Sequence, residues 1–480
     1  MKLFVNDAIV LGTTAPPLPF PQFALGTKDQ NVHATVWGRT GSGKSKLLQS
    51  VFLQHLAKGK GVGLIEPHHD LSFDCLTSLV GSGFFRAEAA YDRLVYLDWG
   101  NGSYVPFNVL KTAYDPHTTA LNTLEAMLRV WPELTEAPMF QTLFLSAVIV
   151  LIANDLPLTY LFRLLSDPPF RKACVLKVDD PVVVASLEHY ERLGRDQASL
   201  AGSTLRRAFL LMFSPTVRYS LGQPDNWLDF RALMDAGVGL IINLGNVQDA
   251  DTRRLLGAML MVQIEQAALS RTDLLPQKRT PFTLLVDEWP SFAAQAQTIG
   301  TILSQTRKFN LRLWLAAQSL SQISSDRLAG TLENCRLTVA FGLGRDSAAV
   351  QARHVGAADP MSVKDEAHTV SQHPQFYTVP EQFETWTQEL QNLRPQLAYV
   401  KLHDRPALRI KTLTVKQPVV TTAAVQTVIA GYRRRYQRSK QEAQDAIDRL
   451  GVPVTNDQHP NGVMHPANRD LGLYDERQGD

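Results

Sequence analysis

Eight consecutive residues constrain this chain more than any other feature. Gly38-Arg39-Thr40-Gly41-Ser42-Gly43-Lys44-Ser45 fits the pattern G-x-x-x-x-G-K-[S/T]. Upstream, Ala34-Thr35-Val36-Trp37 reads as a short apolar strand. Downstream, Leu47, Leu48, Val51, Phe52 and Leu56 recur at helical spacing. A strand that turns through glycines into a helix aims backbone N–H groups and the positive helix end at one point, which suits phosphate. In such a loop Arg39, Thr40, Gly41, Ser42, Gly43, Lys44 and Ser45 wrap a nucleotide. Lys44 reaches the β- and γ-phosphates, and the Ser45 hydroxyl meets Mg²⁺. The bare pattern arises by chance in roughly one chain per hundred of this length, before a flanking strand and helix are demanded. ATP and Mg²⁺ are therefore the expected cofactors.

A second feature, an acidic pair, strengthens that reading. Asp287-Glu288 follows the apolar run Phe282 to Val286, so both carboxylates stand at a strand's carboxyl end, where open α/β sheets bind ligands. Asp287 is placed to complete the Mg²⁺ shell, and Glu288 to orient and deprotonate an attacking water. A solvated acidic turn is the blander alternative. Further along, Arg307-Lys308 ends a helical stretch just before the strand-like run Leu311 to Ala317, and Gln318 leaves that run. Arg307 could supply the positive charge that phosphoryl transfer needs, often given by a neighbouring subunit. A basic last helical turn also simply suits the helix dipole. Gln318 could sense the γ-phosphate, or be an ordinary polar residue leaving a strand.

The pattern along the chain predicts an α/β fold: a P-loop domain of RecA-like type with a mainly parallel sheet, interrupted by an all-α insertion. Residues 1–31 hold short apolar pieces broken by prolines. The first part of the α/β domain spans 32–114, with further strands at Val62 to Ile65 and Leu94 to Leu97. From 115 to 225 strand signals fade and helical spacing takes over, with Asp180-Pro181 as a cap and first-turn pair. Leu200, Leu205 and Phe209 mark another helix in this block. The α/β domain resumes over 226–415, its edge completed by strands near 397–402 and 408–413. From 416 to 480 comes one long helix, about Thr422 to Leu450, and then a polar tail.

Bulk properties narrow the setting. A net charge of +2 gives no global footprint for nucleic acid, so any basic surface is local. Arg433, Arg434, Arg435, Arg438 and Lys440 form the densest basic run, readable as a DNA or partner contact or as a solvated helix face. Cys75, Cys174 and Cys335 are scattered without a CxxC spacing, which fits buried thiols in a reducing cytoplasm. The most apolar stretch, Leu143 to Ala153, falls short of the roughly 20 residues a membrane span requires and reads as a core helix. His68-His69-Asp70 reads as a polar turn near the phosphates, because no second ligand cluster accompanies it.

Taken together, these segments resemble the TraD/TraG/TrwB-type coupling-protein motors of conjugation, within the HerA/FtsK class of DNA-pumping ATPases. The resemblance rests on "HATVWGRTGSGKS", "GLIEPHHDL", "PFNVL", "NWLDFRALMDAGVGLIINLG", "LLVDEWPSF", "QTRKFNLRLWLAAQS" and "FGLGRDSAAV", in the family's order over about residues 30 to 355. It implies an all-α domain between the P-loop and the acidic pair. It also implies a trans-acting finger at Arg307 and a sensor at Gln318. Two features depart from the pattern. Glu66-Pro67-His68-His69-Asp70 stands where the family has Asp-Pro-His-Gly-Asp, and the N-terminal membrane helices of typical members are not seen.

The expected function is that of a cytoplasmic, hexameric, DNA-translocating ATPase acting in the transfer of a mobile element, with a relaxase or a membrane secretion machine as possible partners. Two alternatives remain open: an ATPase of the same fold that handles protein in an assembly or secretion system, and an ATP-gated component of a DNA-processing or defence complex.

Overall fold

A computed structural model describes residues 7–14, 21–192, 202–292, 303, 305–320, 323, 331, 334–359, 361–362, 376–403 and 405–450. The polar tail, the helix position Leu200 and most of the helix expected before Arg307 lie outside these residues. The strands, in chain order, are β1 (Ile9–Thr14), β2 (Gln22–Leu25), β3 (Ala34–Trp37), β4 (Gly61–Glu66), β5 (Leu94–Asp98) and β6 (Ser103–Tyr104). They continue with β7 (Gly239–Asn243), β8 (Phe282–Val286), β9 (Leu311–Ala317), β10 (Leu337–Ala340), β11 (Leu397–Leu402), β12 (Leu408–Thr412) and β13 (Arg438–Ser439).

Eleven of them form one sheet in the order β2-β1-β12-β11-β10-β3-β9-β8-β4-β7-β5. From β10 to β5 every neighbouring pair is parallel. β11, β12, β1 and β2 add antiparallel strands on one side. The parallel strands are buried along their length: every residue of β3, β4, β7, β8 and β9 is buried. That requires cover on both faces, as near-continuous apolar strands in parallel sheets do.

The cover differs between faces. One carries the helices Lys44–Ala57, Asp70–Gly81 and Thr422–Tyr436, which pack with Val36, Leu64, Tyr96 and Ile241 of the strands. The other carries the long helix Ala250–Leu269 and, outside it, the helical block from Pro116 to Leu221. Among the described residues this block has no core of its own. Its Leu124, Phe140, Phe144 and Leu151 belong to the same apolar cluster as the strand residues Leu97, Leu240 and Ile242 and the helix residues Leu256 and Leu260. The Arg129 guanidinium, 1% exposed, ties the block to the long helix through Glu265 at 2.9 Å. Burial still holds the Glu265 carboxyl up near pKa 7, against the pull of Arg129.

Two expectations need correction. β11 and β12 do not end the sheet. β1 pairs with β12 and β2 with β1, so residues before Ala34 supply the outermost strands on that side. Residues 422–450 are also not one helix. The first helix stops at Tyr436, Gln437 is extended, and Ser439 starts a second helix, Lys440–Asp448, with a capping box to Glu442. The break is physical. Gln437 Nε2 donates to the Asp98 carbonyl at 2.6 Å, and Arg438 reaches Gln223 and Asp225 at 2.7 Å each.

Those contacts also redefine the basic run. Arg433 pairs with buried Asp98 at 2.9 Å, Arg435 pairs with Glu88, and Arg438 pairs with Asp225. Arg434 and Lys440 remain exposed. The segment is a strap joining the sheet's β5 end to the helical block. The three cysteines are free and buried. Among the described residues no helix is long and apolar enough to cross a membrane; Leu143 to Ala153 lies in the helix Pro138–Ala153, mostly buried.

Candidate active site

The carboxyl ends of β3, β4, β8 and β9 lie side by side, and the motif residues gather there. After β3 the chain enters the glycine loop, which is pinned from outside. Gly38 N donates to Ala317 O, Arg39 N to Gly342 O, and Gln396 N to Ser42 O at 2.8 Å. Gly43 has φ +114°, a conformation that side chains rarely adopt, and it directs the chain straight into the helix that begins at Lys44. Gly38 is tight for another reason: a Cβ there would lie 2.5 Å from Ser42 Oγ.

Lys44 and Asp287 meet at this end, with Nζ and Oδ1 3.5 Å apart and both side chains buried. Ser45 is exposed at the first turn of the helix, beside Lys44, with its hydroxyl on the same helix start. Gln318, leaving β9, accepts a hydrogen bond at Oε1 from the Thr40 hydroxyl at 3.0 Å. Sequence positions 40, 44, 287 and 318 thus converge on one place. Buried Ser42 Oγ has no hydrogen-bond partner among the described residues. A cation, a glycine loop that runs into a helix N-terminus and a hydroxyl unpartnered among the described residues form a donor set for an anion. The residues present fit a nucleotide's phosphates and their Mg²⁺.

Glu288 is the most unusual residue of the site. It sits at φ +47°, ψ +45°, in the left-handed region, and its backbone N–H donates to Asp287 Oδ1 at 3.1 Å. Its side chain is 6% exposed, and Oε2 has no hydrogen-bond partner among the described residues. A glutamate held in a costly backbone conformation with an unpartnered oxygen is how functional sites store strain. The turn that follows is fixed by packing: Phe292 seats against Gly257, where any Cβ would lie 2.1 Å from the ring.

Arg307 lies elsewhere. It precedes β9, whereas Gln318 follows it, so the two stand at opposite ends of the sheet. Seven strand residues at about 3.3 Å each put roughly 20 Å between Arg307 and the glycine loop of its own chain. No single side chain spans that distance. Arg307 is half-buried, and its guanidinium has no hydrogen bond or ion pair among the described residues. It lines an open cleft with Asn31, Pro276, Gln277, Lys308 and Asn310. Nearby, Arg312 is 7% exposed and has no carboxylate partner among the described residues; burial lowers its pKa to about 10. His33, buried beside it, is pushed down to about 4 by burial and stays neutral.

Three contributors were not evident in the sequence. Glu66, at the end of β4, accepts from Leu71 N at 2.7 Å and from Ser72 N and Oγ at 2.5 Å, capping the helix Asp70–Gly81. Burial raises its pKa to about 7 in spite of these bonds, with Asp287 pushing the same way. Gln396, in the left-handed region at φ +69°, clamps the glycine loop from the start of β11. Asp98 joins Asn246 at 2.8 Å to Arg433, while Asn243 holds His69 Nδ1 at 2.6 Å. His69 therefore belongs to a hydrogen-bond network between strand ends, and among the described residues no metal-binding group of His, Cys, Asp and Glu exists. Of the three, only Glu66 left a local trace, as an acid shortly before a helix start.

A parallel sheet whose glycine loop opens a helix, with an acidic pair ending the second strand over and a helical block inserted between them, defines the RecA-like P-loop fold. Solved structures share it. The plasmid coupling protein TrwB in complex with the non-hydrolysable GTP analogue GDPNP matches at TM-score 0.57 and 17% identity, over 87% of this chain and 97% of that one. TrwB in complex with ADP and Mg²⁺ gives TM-score 0.56 at 17% identity over the same shares. VirB4 of Thermoanaerobacter pseudethanolicus gives 0.50 at 15% identity, over 85% of this chain and 96% of that one. No family model and no curated protein sequence matches the chain.

Proposed function

We propose that this chain is the ATP-hydrolysing subunit of a cytoplasmic hexameric ring that translocates DNA during transfer of a mobile element. The observation that carries the reading is the convergence of Lys44, Asp287, strained Glu288 and Gln318 at one sheet end, with Arg307 at the other, unpaired among the described residues. A ring in which the Arg307 end of one copy meets the glycine loop of the next would use both. TrwB, whose fold this chain shares, has been crystallised with ADP and Mg²⁺.

When bound, Mg²⁺ would neutralise charge between the β- and γ-phosphates, held by Ser45 and Asp287. Residues Arg39 to Ser45 would cradle the phosphates, with Lys44 as the point charge. Glu288 would orient water and take its proton through the unpartnered Oε2. Gln318, bonded to Thr40, would report the γ-phosphate to the strand β9. Arg307 of a neighbouring copy would meet the charge that develops in the transition state. A relaxase or a membrane secretion machine is the proposed partner.

The DNA half of this reading has a direct test. ATP turnover by the assembled protein should rise with DNA of any sequence. Binding to duplex should weaken with salt at a log–log slope of roughly −0.9 per phosphate contact. Deleting everything after Pro418 is a poor probe, because Val425, Val428, Ile429 and Tyr432 belong to the core. Arg434→Glu with Lys440→Glu changes only exposed charge, and it should leave DNA stimulation intact if the contacts lie in a pore. No stimulation by single- or double-stranded DNA at low salt would replace the reading with a protein-handling ATPase of the same fold.

A further inference from the structure

The three-residue turn Arg307–Phe309 carries a side-chain head without a partner among the described residues, on a backbone whose carbonyls are all bonded. Each carbonyl from Arg307 to Asn310 has a donor. Arg307 O accepts from Asn310 N at 3.0 Å, and Asn310 O accepts from Phe282 N at 2.9 Å. Lys308 O accepts from Arg279 Nη1 at 2.7 Å, and Phe309 O from Arg271 Nη1 at 3.2 Å. Two of the four donors are therefore guanidinium groups from a single loop between the helix Ala250–Leu269 and β8. Asn310 closes the turn at φ +61°, and its Nδ2 donates back to the Arg279 carbonyl at 2.7 Å.

The arginines are themselves fixed. Arg271 is fully buried, 2.9 Å from Asp235, and also donates to Thr280 O at 2.9 Å. Arg279 donates from Nε to the carbonyls of Arg271 and Leu274 at 3.0 and 3.1 Å, and its head lies 4.8 Å over the Phe309 ring. No carboxylate pairs with Arg279 among the described residues. A planar fork that donates in two directions can join two stretches of backbone, which an ammonium on a flexible stem does poorly.

We infer that Arg279, backed by Arg271, is a positioning residue that sets where the Arg307 guanidinium points. This rests on the proposal that Arg307 acts on the nucleotide of a neighbouring copy. A charge that must land within about half an ångström of a transition state requires a rigid mount, and misplacement by about 1 Å can cost on the order of 10²-fold in rate. The mount here is a set of carbonyl bonds that makes no use of Arg307's own side-chain nitrogens, which have no partner among the described residues.

The test is a double-mutant cycle on the assembled full-length protein, read as nucleotide affinity and turnover. Arg279→Ala should leave nucleotide affinity unchanged and lower kcat by roughly 10- to 100-fold. In an Arg307→Ala background it should cost nothing further, because nothing remains to be aimed. Should the alanine form not fold, Arg279→Lys gives the same cycle: it keeps the charge over Phe309 but loses the two-way fork. Turnover within about twofold of wild type for Arg279→Ala and Arg279→Lys, while Arg307→Ala is slow, would overturn the positioning role and leave the Arg307 proposal standing. Losses that multiply in the double mutant would also overturn it. Wild-type turnover in Arg307→Ala itself would remove the underlying proposal, and the positioning role with it.

Discussion

At the carboxyl end of the sheet, Glu288 adopts a left-handed backbone, its Oε2 has no partner among the described residues, and Lys44 and Asp287 are buried 3.5 Å apart. At the amino end, the turn that holds Arg307 has every carbonyl from Arg307 to Asn310 bonded. One end stores strain in backbone and buried charge; the other concentrates its bonds in the carbonyls of the mount and not in the Arg307 head. Groups that must change their interactions in each cycle cannot also be the ones that hold the fold together. A charge proposed to act on another subunit must instead arrive already aimed. β9 joins the two, with Gln318 at one end and Arg307 just before the other.

Three substitutions would break or sharpen this contrast. The largest effect is expected from Glu288→Gln, which removes the proposed proton acceptor and keeps the shape. Turnover should fall by roughly 10²- to 10⁴-fold with nucleotide still bound, measured by single-turnover hydrolysis and an equilibrium binding titration. An unchanged rate would remove the proposed water-activating role.

A smaller effect concerns the cost of buried carboxyls. Glu66 has its folded pKa raised from the ordinary 4.5 to about 7. Between those values the folded state holds a proton that the unfolded chain has lost. Stability therefore falls as pH rises through this window, and the full cost stands above about pH 7. Denaturant melts should show wild type losing up to about 3 kcal/mol relative to Glu66→Gln between about pH 4.5 and 7.5. Parallel profiles would mean that the Leu71 and Ser72 hydrogen bonds already offset the burial.

The smallest of the three is Gln318→Ala. It cuts the Thr40 contact but touches no charge, so a loss of about tenfold in kcat with little change in nucleotide affinity is expected. A loss as large as that from Glu288→Gln would mean that β9 does more than report the γ-phosphate.

What the sequence reveals follows from how local each device is. The glycine loop is one contiguous motif, and Asp287-Glu288 ends a single apolar strand; both are legible without the fold. Arg307 and Gln318 are ordinary residues by position, and resemblance had to single them out. Arg271, Arg279 and Gln396 carry no local signal at all, because their partners arrive from elsewhere: Gln396 reaches Ser42 only because β11 lies beside β10, which lies beside β3. The outer strands β1 and β2 were hidden by proline-broken sequence of low periodicity. The break at Gln437 was partly visible, since Ser439 and Glu442 have capping-box spacing. Its cause, the long-range bond to Asp98, was not.

The central claim is that catalysis needs the amino end of one subunit's sheet at the carboxyl end of the next. Mixing tests it most directly. Lys44→Ala protein keeps Arg307 but has a disabled glycine loop, and Arg307→Ala protein is the reverse. Each alone should hydrolyse ATP slower than wild type by on the order of 10³-fold or more. Co-assembled at varied ratios they create interfaces with an intact loop and an intact Arg307, so turnover should rise well above either parent and peak at intermediate mixtures. Flat, additive activity across all ratios, with mixed assembly shown independently, would contradict the claim.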